Sequence, residues 1–263
     1  MSSSDLLAVL TGSIVGLSLG LIGGGGSVLA VPLLLYVVGV RDPHVAIGTS
    51  AVAVALNAFA TLAQHARAGT VKWPCAATFA AAGTVGALLG STLGKQIGGQ
   101  HLVVLFSVVI VAVALSMLRR RADAGDPQVR INATIAPRLI VAGLVTGFIA
   151  GFFGIGGGFL IVPGLILSSG MPILNAVGSS LFSVGIFGIT TAGNYAVSGL
   201  IDWRVAAWFI AGGVVGGYVG IRLAVKLTRQ RGLLVKLFAS VLLAVGAFML
   251  YRNAGTLLSL LKH

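Results

Sequence analysis

The stretches 45–63, 74–94 and 176–198 each run without a charged side chain, and 233–251 carries only Lys236. A helix needs about 20 residues to cross a hydrocarbon core of about 30 Å, so each of these is long enough to span. Further apolar segments fall at roughly 6–22, 27–38, 102–118, 139–153, 159–169 and 205–221. Of these, 102–118 and 205–221 lie at the short end, while 27–38 and 159–169 are too short to cross alone. Charged residues make up 8% of the 263, against about 25% in a soluble domain, too few to hydrate a water-facing surface. That excludes a water-soluble enzyme and predicts an all-α polytopic membrane protein.

The charge that remains is one-sided. Seventeen Lys and Arg stand against five acids, for a net charge of +12. The acids are all aspartates, Asp5, Asp42, Asp123, Asp126 and Asp202, and each sits near a terminus or in a polar break. Intramembrane proton relays and cation sites are built from carboxylates. A cation pump, a divalent-metal transporter or a membrane enzyme with paired aspartates is therefore not expected. Basic residues flank the cytoplasmic ends of spans, which accounts for most of the excess without a nucleic-acid partner and leaves some to attract an anion. The lone Cys75 allows neither an internal disulfide nor a Cys-rich metal site, so no metal or cofactor is expected. The opening MSSSDLLAVL lacks the basic region of a signal peptide and reads as the start of the mature protein.

The chain repeats itself. The shift that carries Gly12 onto Gly143 also carries Gly16, Gly20, Gly23, Gly25 and Gly26 onto Gly147, Gly151, Gly154, Gly156 and Gly157, and Val31-Pro32 onto Val162-Pro163. After a one-residue slip, Gly48 and Ser50 match Gly178 and Ser180, Gly69 and Trp73 match Gly199 and Trp203, and Gly83, Gly86 and Gly90 match Gly213, Gly216 and Gly220. Composition bias scatters glycine matches; it does not order them with a Val-Pro and a tryptophan. The reading is a first transmembrane repeat over 1–118, a basic cytoplasmic linker over 119–138 and a second repeat over 139–263, each repeat of about four spans.

Parallel and inverted halves predict different charge maps. Four full spans per half would split the basic residues almost evenly. If 6–38 and 139–169 are each a hairpin or re-entrant pair, one face collects Arg67, Lys72, Arg119, Arg120, Arg121, Arg130, Arg138, Arg222, Lys226, Arg229, Arg231 and Lys236. The other keeps Arg41, Lys95, Arg204, Arg252 and Lys262. The second map obeys the positive-inside rule better, so inverted repeats with glycine-broken or re-entrant helices are expected.

Gly23-Gly24-Gly25-Gly26-Ser27 and Gly154-Ile155-Gly156-Gly157-Gly158 are the breaks. Neither is a phosphate loop, because no Gly-Lys-Ser/Thr follows. A glycine run bends a helix and frees backbone N–H groups, which a membrane tolerates only inside protein or beside a water-filled cavity. Free N–H groups opening a short helix attract anions, with Ser27 a candidate cap and Pro32 and Pro163 near the first turn. Matching breaks in two halves point to a transporter's substrate site. The alternative is close helix packing through small residues.

Neutral polar side chains pair across the repeat as well: Thr49-Ser50 with Ser179-Ser180, Thr61 with Thr191, Gln64 with Asn194. Together with Asn57 and Ser183 they can hold an oxyanion without burying a charge, or simply bond helix to helix. The expected substrate-binding set is Gly23, Gly24, Gly25, Gly26, Ser27, Ser50, Asn57, Gln64, Gly154, Gly156, Gly157, Gly158, Ser180, Thr191 and Asn194. No catalytic residue is expected. His65 titrates near neutrality and is a candidate for proton coupling, or a helix-end histidine at headgroup level; Trp73 and Trp203 suit interfacial belts.

The doubled Gly-Gly-x-x-x-Val-Pro cluster, the near-eight-span length and the central basic stretch resemble the sulfite exporter TauE/SafE family of membrane transporters, over essentially the whole chain from Gly12 to Tyr251. The resemblance implies transport, outward in the family's sense of export, of sulfite, sulfoacetate or a related small organosulfur or carboxylate anion. Spans free of carboxylates agree with an anionic cargo. An anion channel is the alternative, distinguished by conductive, non-saturable flux. An intramembrane enzyme would need a nucleophile turn such as Gly-x-Ser-Gly, and a purely structural subunit would tolerate alanine at the glycine clusters. The expected partners are the anion and membrane lipid, in a multi-pass protein of the bacterial inner membrane.

Overall fold

The computed structural model describes the chain apart from residues 1–2, 120–125, 127–128, 130, 155–157, 227–230 and 254–263. Helix α1 (Ser3–Ile22) runs into 3-10 turns at Gly23–Leu29, a single α-turn, α2 (Ala30–Leu33), and a π-helical turn at Leu34–Val38. Then come α3 (Pro43–Arg67), α4 (Trp73–Gln96) and α5 (Gly99–Arg119). Beyond the central segment follow α6 (Ile135–Phe153), α7 (Gly158–Ser169), α8 (Ile173–Val197), α9 (Trp203–Lys226) and α10 (Arg231–Arg252). No strand occurs among the described residues. Seven helical stretches there are long and apolar enough to cross a membrane, the first being Ser4–Val38 taken as one.

That first stretch is a hairpin. Gly23 stands at φ +74°, a left-handed conformation that costs glycine little, and the chain doubles back. A side chain at Gly26 would strike the backbone of Ser18 and Leu19, and the turns at Leu34–Val38 lie along α1. In the other half Gly154, at φ +65°, ends α6 and turns the chain into α7. These are the hairpins expected at 6–38 and 139–169.

Small residues set the closest helix contacts. Gly12, Gly16 and Gly20 of α1 lie against the backbone of α9 at Phe209, Gly213 and Gly217. Gly143, Gly147 and Gly151 of α6 lie against α4 at Phe79, Gly83 and Ala87. The residue pairs are related by the sequence repeat, and in both seams a Cβ would meet a facing carbonyl, so backbones touch where only glycine fits. The first helix of each half thus packs on the third spanning helix of the other half, running parallel to it. Helices α3 and α8 pack antiparallel, with Gly48 beside Tyr195 and Gly185 beside Phe59, and α5 packs with α10.

Cross-links between loops define the two ends of the bundle. At one end Arg204 pairs with Asp5 at 2.8 Å, and the Asp202 N–H donates to Thr49 Oγ1 at 2.9 Å. At the other, the Lys72 N–H donates to Ser179 Oγ at 2.9 Å, and Asn175 Nδ2 donates to the Thr70 carbonyl at 2.9 Å. So α1 and its counterpart α6 cross in opposite directions, as do α3 and α8, and α4 and α9. This arrangement is compatible with the expected inverted repeats. One end carries Arg67, Lys72, Arg138 and Arg222 with the helix-terminal Arg119, Lys226, Arg231 and Lys236; the other carries Arg41, Lys95, Arg204 and Arg252. Arg120, Arg121, Arg130, Arg229 and Lys262 lie outside the described residues. Trp73 and Trp203 are exposed at opposite ends, as tryptophans of interfacial belts are.

Candidate functional site

The hairpin turns are each clamped by the opposite half. Gly23 lies against Val177 of α8, and Gly154 lies against Ile47 of α3. Ser50 Oγ donates to the Ile47 carbonyl at 2.8 Å and to the Gly154 carbonyl at 3.3 Å. Its counterpart Ser180 donates to the Val177 carbonyl at 2.8 Å. Between the turns the two broken segments cross: a Cβ on Gly24 would lie 2.6 Å from the Gly158 Cα and 2.9 Å from Val184 Cγ2. Gly23, Gly24, Gly25, Gly26 and Ser27 are all buried. The structure therefore brings Gly23–Ser27, Gly154, Gly158, Ser50 and Ser180 together at one crossing between α3 and α8. Gly156 and Gly157, expected there too, lie outside the described residues.

Local geometry departs from the expectation in three places. Ser27 caps no helix; its hydroxyl donates to the Gly24 carbonyl at 2.8 Å. Helix α2 is a single turn after 3-10 geometry, so the first break presents no free-standing helix N-terminus. Pro163 lies in the interior of α7 rather than in its first turn. At the first break the reason is that a buried glycine run flanked by apolar residues stays helical, in tighter 3-10 turns.

From the crossing, polar side chains continue along α3 towards the basic end and along α8 towards the other. Asn57 is 1% exposed and packs on Gly213 of α9. Neither its Nδ2 nor its Oδ1 has a hydrogen-bond partner, and Ser183 Oγ and Thr191 Oγ1 are buried without one as well. Buried polar groups are nearly always bonded, and leaving one unpaired costs about 1–3 kcal/mol. Thr61, by contrast, donates to the Asn57 carbonyl at 2.8 Å. Ser183 had no polar counterpart to mark it, because Ala53 stands at the matching position.

The outer members of the two lines differ. Asn194 Nδ2 donates to Ser91 Oγ at 2.6 Å and Thr92 Oγ1 at 3.0 Å. Lys95 Nζ donates to Asn194 Oδ1 at 2.6 Å, to its carbonyl at 3.0 Å and to Ser198 Oγ at 2.9 Å. Asn194 is thus part of a tie that closes the α4–α8 seam at the sparsely charged end. Its counterpart Gln64 faces a pocket between α3 and α9. Sequence reading counted Lys95 only as an orientation charge; its distance in sequence from Asn194 hides the tie. His65 Nδ1 lies 2.9 Å from Thr70 Oγ1, joining the end of α3 to the turn that follows. No cluster of metal-binding side chains occurs among the described residues.

Seven apolar helical stretches among the described residues, with broken helices that cross inside the bundle, are those of a multi-pass membrane protein. The family described as Sulfite exporter TauE/SafE matches residues 8–249, and the chain belongs to that family. It is 48% identical over 259 residues to a "Probable membrane transporter protein" of Xylella fastidiosa (strain 9a5c), covering 97% of this chain and 98% of the relative. It is 28% identical to the "Probable membrane transporter protein YunE" of Bacillus subtilis (strain 168), over 95% of this chain and 98% of that one. It is 30% identical to the "Probable membrane transporter protein MJ0441" of Methanocaldococcus jannaschii, over 76% and 72% respectively. No solved structure matches. The chain is a multi-pass integral membrane protein.

Proposed function

We propose that the protein carries a small oxyanion outward, sulfite, sulfoacetate or a related organosulfur or carboxylate anion, and holds it at the crossing of the glycine breaks. The observation that carries this reading is the buried, unpartnered Asn57 amide, which lies on the polar line of α3 two turns from Ser50 and packs on Gly213. A buried neutral donor, with no carboxylate among the described residues of the spans except the terminal, ion-paired Asp5, suits an anion and repels none. The substrate replaces the missing partners of Asn57, Ser183 and Thr191 in turn as it moves along the α3 and α8 lines. Outward direction rests on the family's description as exporters.

Alternating access fits a crossing that is packed shut, with the α4–α8 seam beyond it tied by Lys95 and Asn194. The test is flux of radiolabelled sulfite and carboxylates in proteoliposomes at set pH and voltage. Saturable flux, accelerated by unlabelled substrate on the opposite side, is expected. Non-saturable conductive flux would make the protein a channel, and no flux of any small anion would remove the reading.

A further inference from the structure

At the basic end the α3–α9 seam opens as a groove of about 360 Å³. Ala60, Val214, Val215 and Tyr218 wall it, and Thr61 and Gln64 lie on the α3 side. Val214, Val215 and Tyr218 are 47%, 64% and 48% exposed. On a helix that crosses the bilayer these side chains face hydrocarbon, so the groove opens sideways into lipid rather than into water. The helix pairing alone does not produce it. The counterpart seam between α4 and α8, where Asn194 reaches Ser91 and Thr92, is drawn closed.

One turn beyond Tyr218, towards the headgroups, stands Arg222. Its guanidinium lies 4.3 Å from the centre of the Tyr218 ring, and its Nη2 donates to the Tyr218 hydroxyl. These contacts fix the cation at the mouth of the groove without neutralising it, and no carboxylate is among its described partners. Exposed valines at chain depth and an anchored arginine at headgroup depth match the two parts of one kind of molecule. We propose that this groove binds an anionic phospholipid. An acyl chain lies along Ala60, Val214 and Val215, and the phosphate is held by Arg222, with the Gln64 amide placed to donate to the glycerol ester region. Basic pockets between spanning helices at the cytoplasmic side bind anionic headgroups by the same combination. The site stands apart from the crossing and does not depend on the transported substrate.

The test uses the purified full-length protein in neutral detergent, titrated with dioleoylphosphatidylglycerol or dioleoylphosphatidylcholine, with retained lipid read by native mass spectrometry. The wild type should retain the glycerol lipid in preference to the choline lipid. Arg222→Gln should weaken that retention about fivefold, the factor that one cation beside an anionic surface is worth. Val215→Trp, which fills the groove and leaves the charge, should remove it while the melting temperature holds. Arg252→Gln, which removes a cation lying 6.0 Å from the Tyr36 ring at the opposite end, should leave retention unchanged. Equal losses in Arg222→Gln and Arg252→Gln, or full retention in both groove variants, would overturn the proposal. Displacement of the lipid by millimolar inorganic phosphate or sulfite would overturn it as well, by giving the groove to a water-borne anion.

Discussion

Asn57→Leu separates what holds the bundle together from what moves cargo through it. The amide is 1% exposed with both polar atoms unpaired, against Gly213. Its counterpart in the other half is Phe187, fully buried against Gly83 and stacked on Phe79 at 6.3 Å, so the equivalent place accepts an apolar side chain. Leucine has the same branching at Cγ and no group to satisfy. Relief of the unpaired amide is worth about 1–3 kcal/mol. At about 2–4 °C per kcal/mol for a chain of this size, the melting midpoint in detergent should rise by about 2–12 °C. Flux in proteoliposomes should fall at least about tenfold, the factor carried by one lost hydrogen bond of about 1.4 kcal/mol. A gain in stability with a loss of activity is the pattern of a residue kept for function. The reciprocal Phe187→Asn should lower the midpoint, since it buries a second unpaired amide. A lowered midpoint with undiminished flux in Asn57→Leu would refute the reasoning, because the amide would then be a packing element and not a ligand.

The seams make sharper demands. Gly16→Val should abolish the folded yield, because a Cβ there would overlap the Gly213 backbone, whereas Gly193→Ala, with nothing within 4 Å of the new carbon, should express normally and gain up to about 1 kcal/mol of helix propensity; equal yields, judged by size-exclusion chromatography, would contradict the seam. Lys95→Met removes the donor that holds Asn194 and Ser198, and charged hydrogen bonds contribute about 1.5–3 kcal/mol each. A cysteine at Thr191 in a Cys75→Ser background should then react with a membrane-impermeant maleimide about tenfold faster from the sparsely charged side, and an unchanged rate would show that the tie closes nothing. Reporter fusions after Gln96 and after Lys226 should report opposite sides of the membrane, and the same side for both would rule out inverted halves.

Much of this was legible in residue order, and the reasons for the rest are specific. The repeat was visible because glycine is required wherever backbones touch. Gly12, Gly16 and Gly20 recur as Gly143, Gly147 and Gly151 because both series press on a facing helix. The hairpins were legible from length, since 27–38 and 159–169 are too short to cross. What stayed hidden was the division of labour among polar residues of one type. Thr49 and Ser179 hold the first turns of α9 and α4, Asn194 closes a seam, and Asn57 has no partner at all. Side-chain type and repeat position are nearly the same for these residues; only the neighbour brought by the opposite half tells them apart.

That exchange of neighbours also decides which parts of the bundle can move. In the sequence the natural bodies are the two halves, and access would alternate as one rocks against the other. In the structure α1 of the first half is locked to α9 of the second through Gly16 and Gly213, and α6 is locked to α4 through Gly147 and Gly83. Separating the halves would pull both glycine seams apart and lose the close backbone packing on which helix association in lipid depends. The bodies that stay whole are therefore the mixed pairs, α1 with α9 and α4 with α6. Helices α3 and α8 lie between them, joined to them by replaceable contacts such as the Lys95–Asn194 tie. A motion that opens the crossing must run along the α3–α9 and α4–α8 seams. One of these holds a pocket at Gln64 and the other is bonded shut at Asn194, so two otherwise equivalent seams are held with unequal strength.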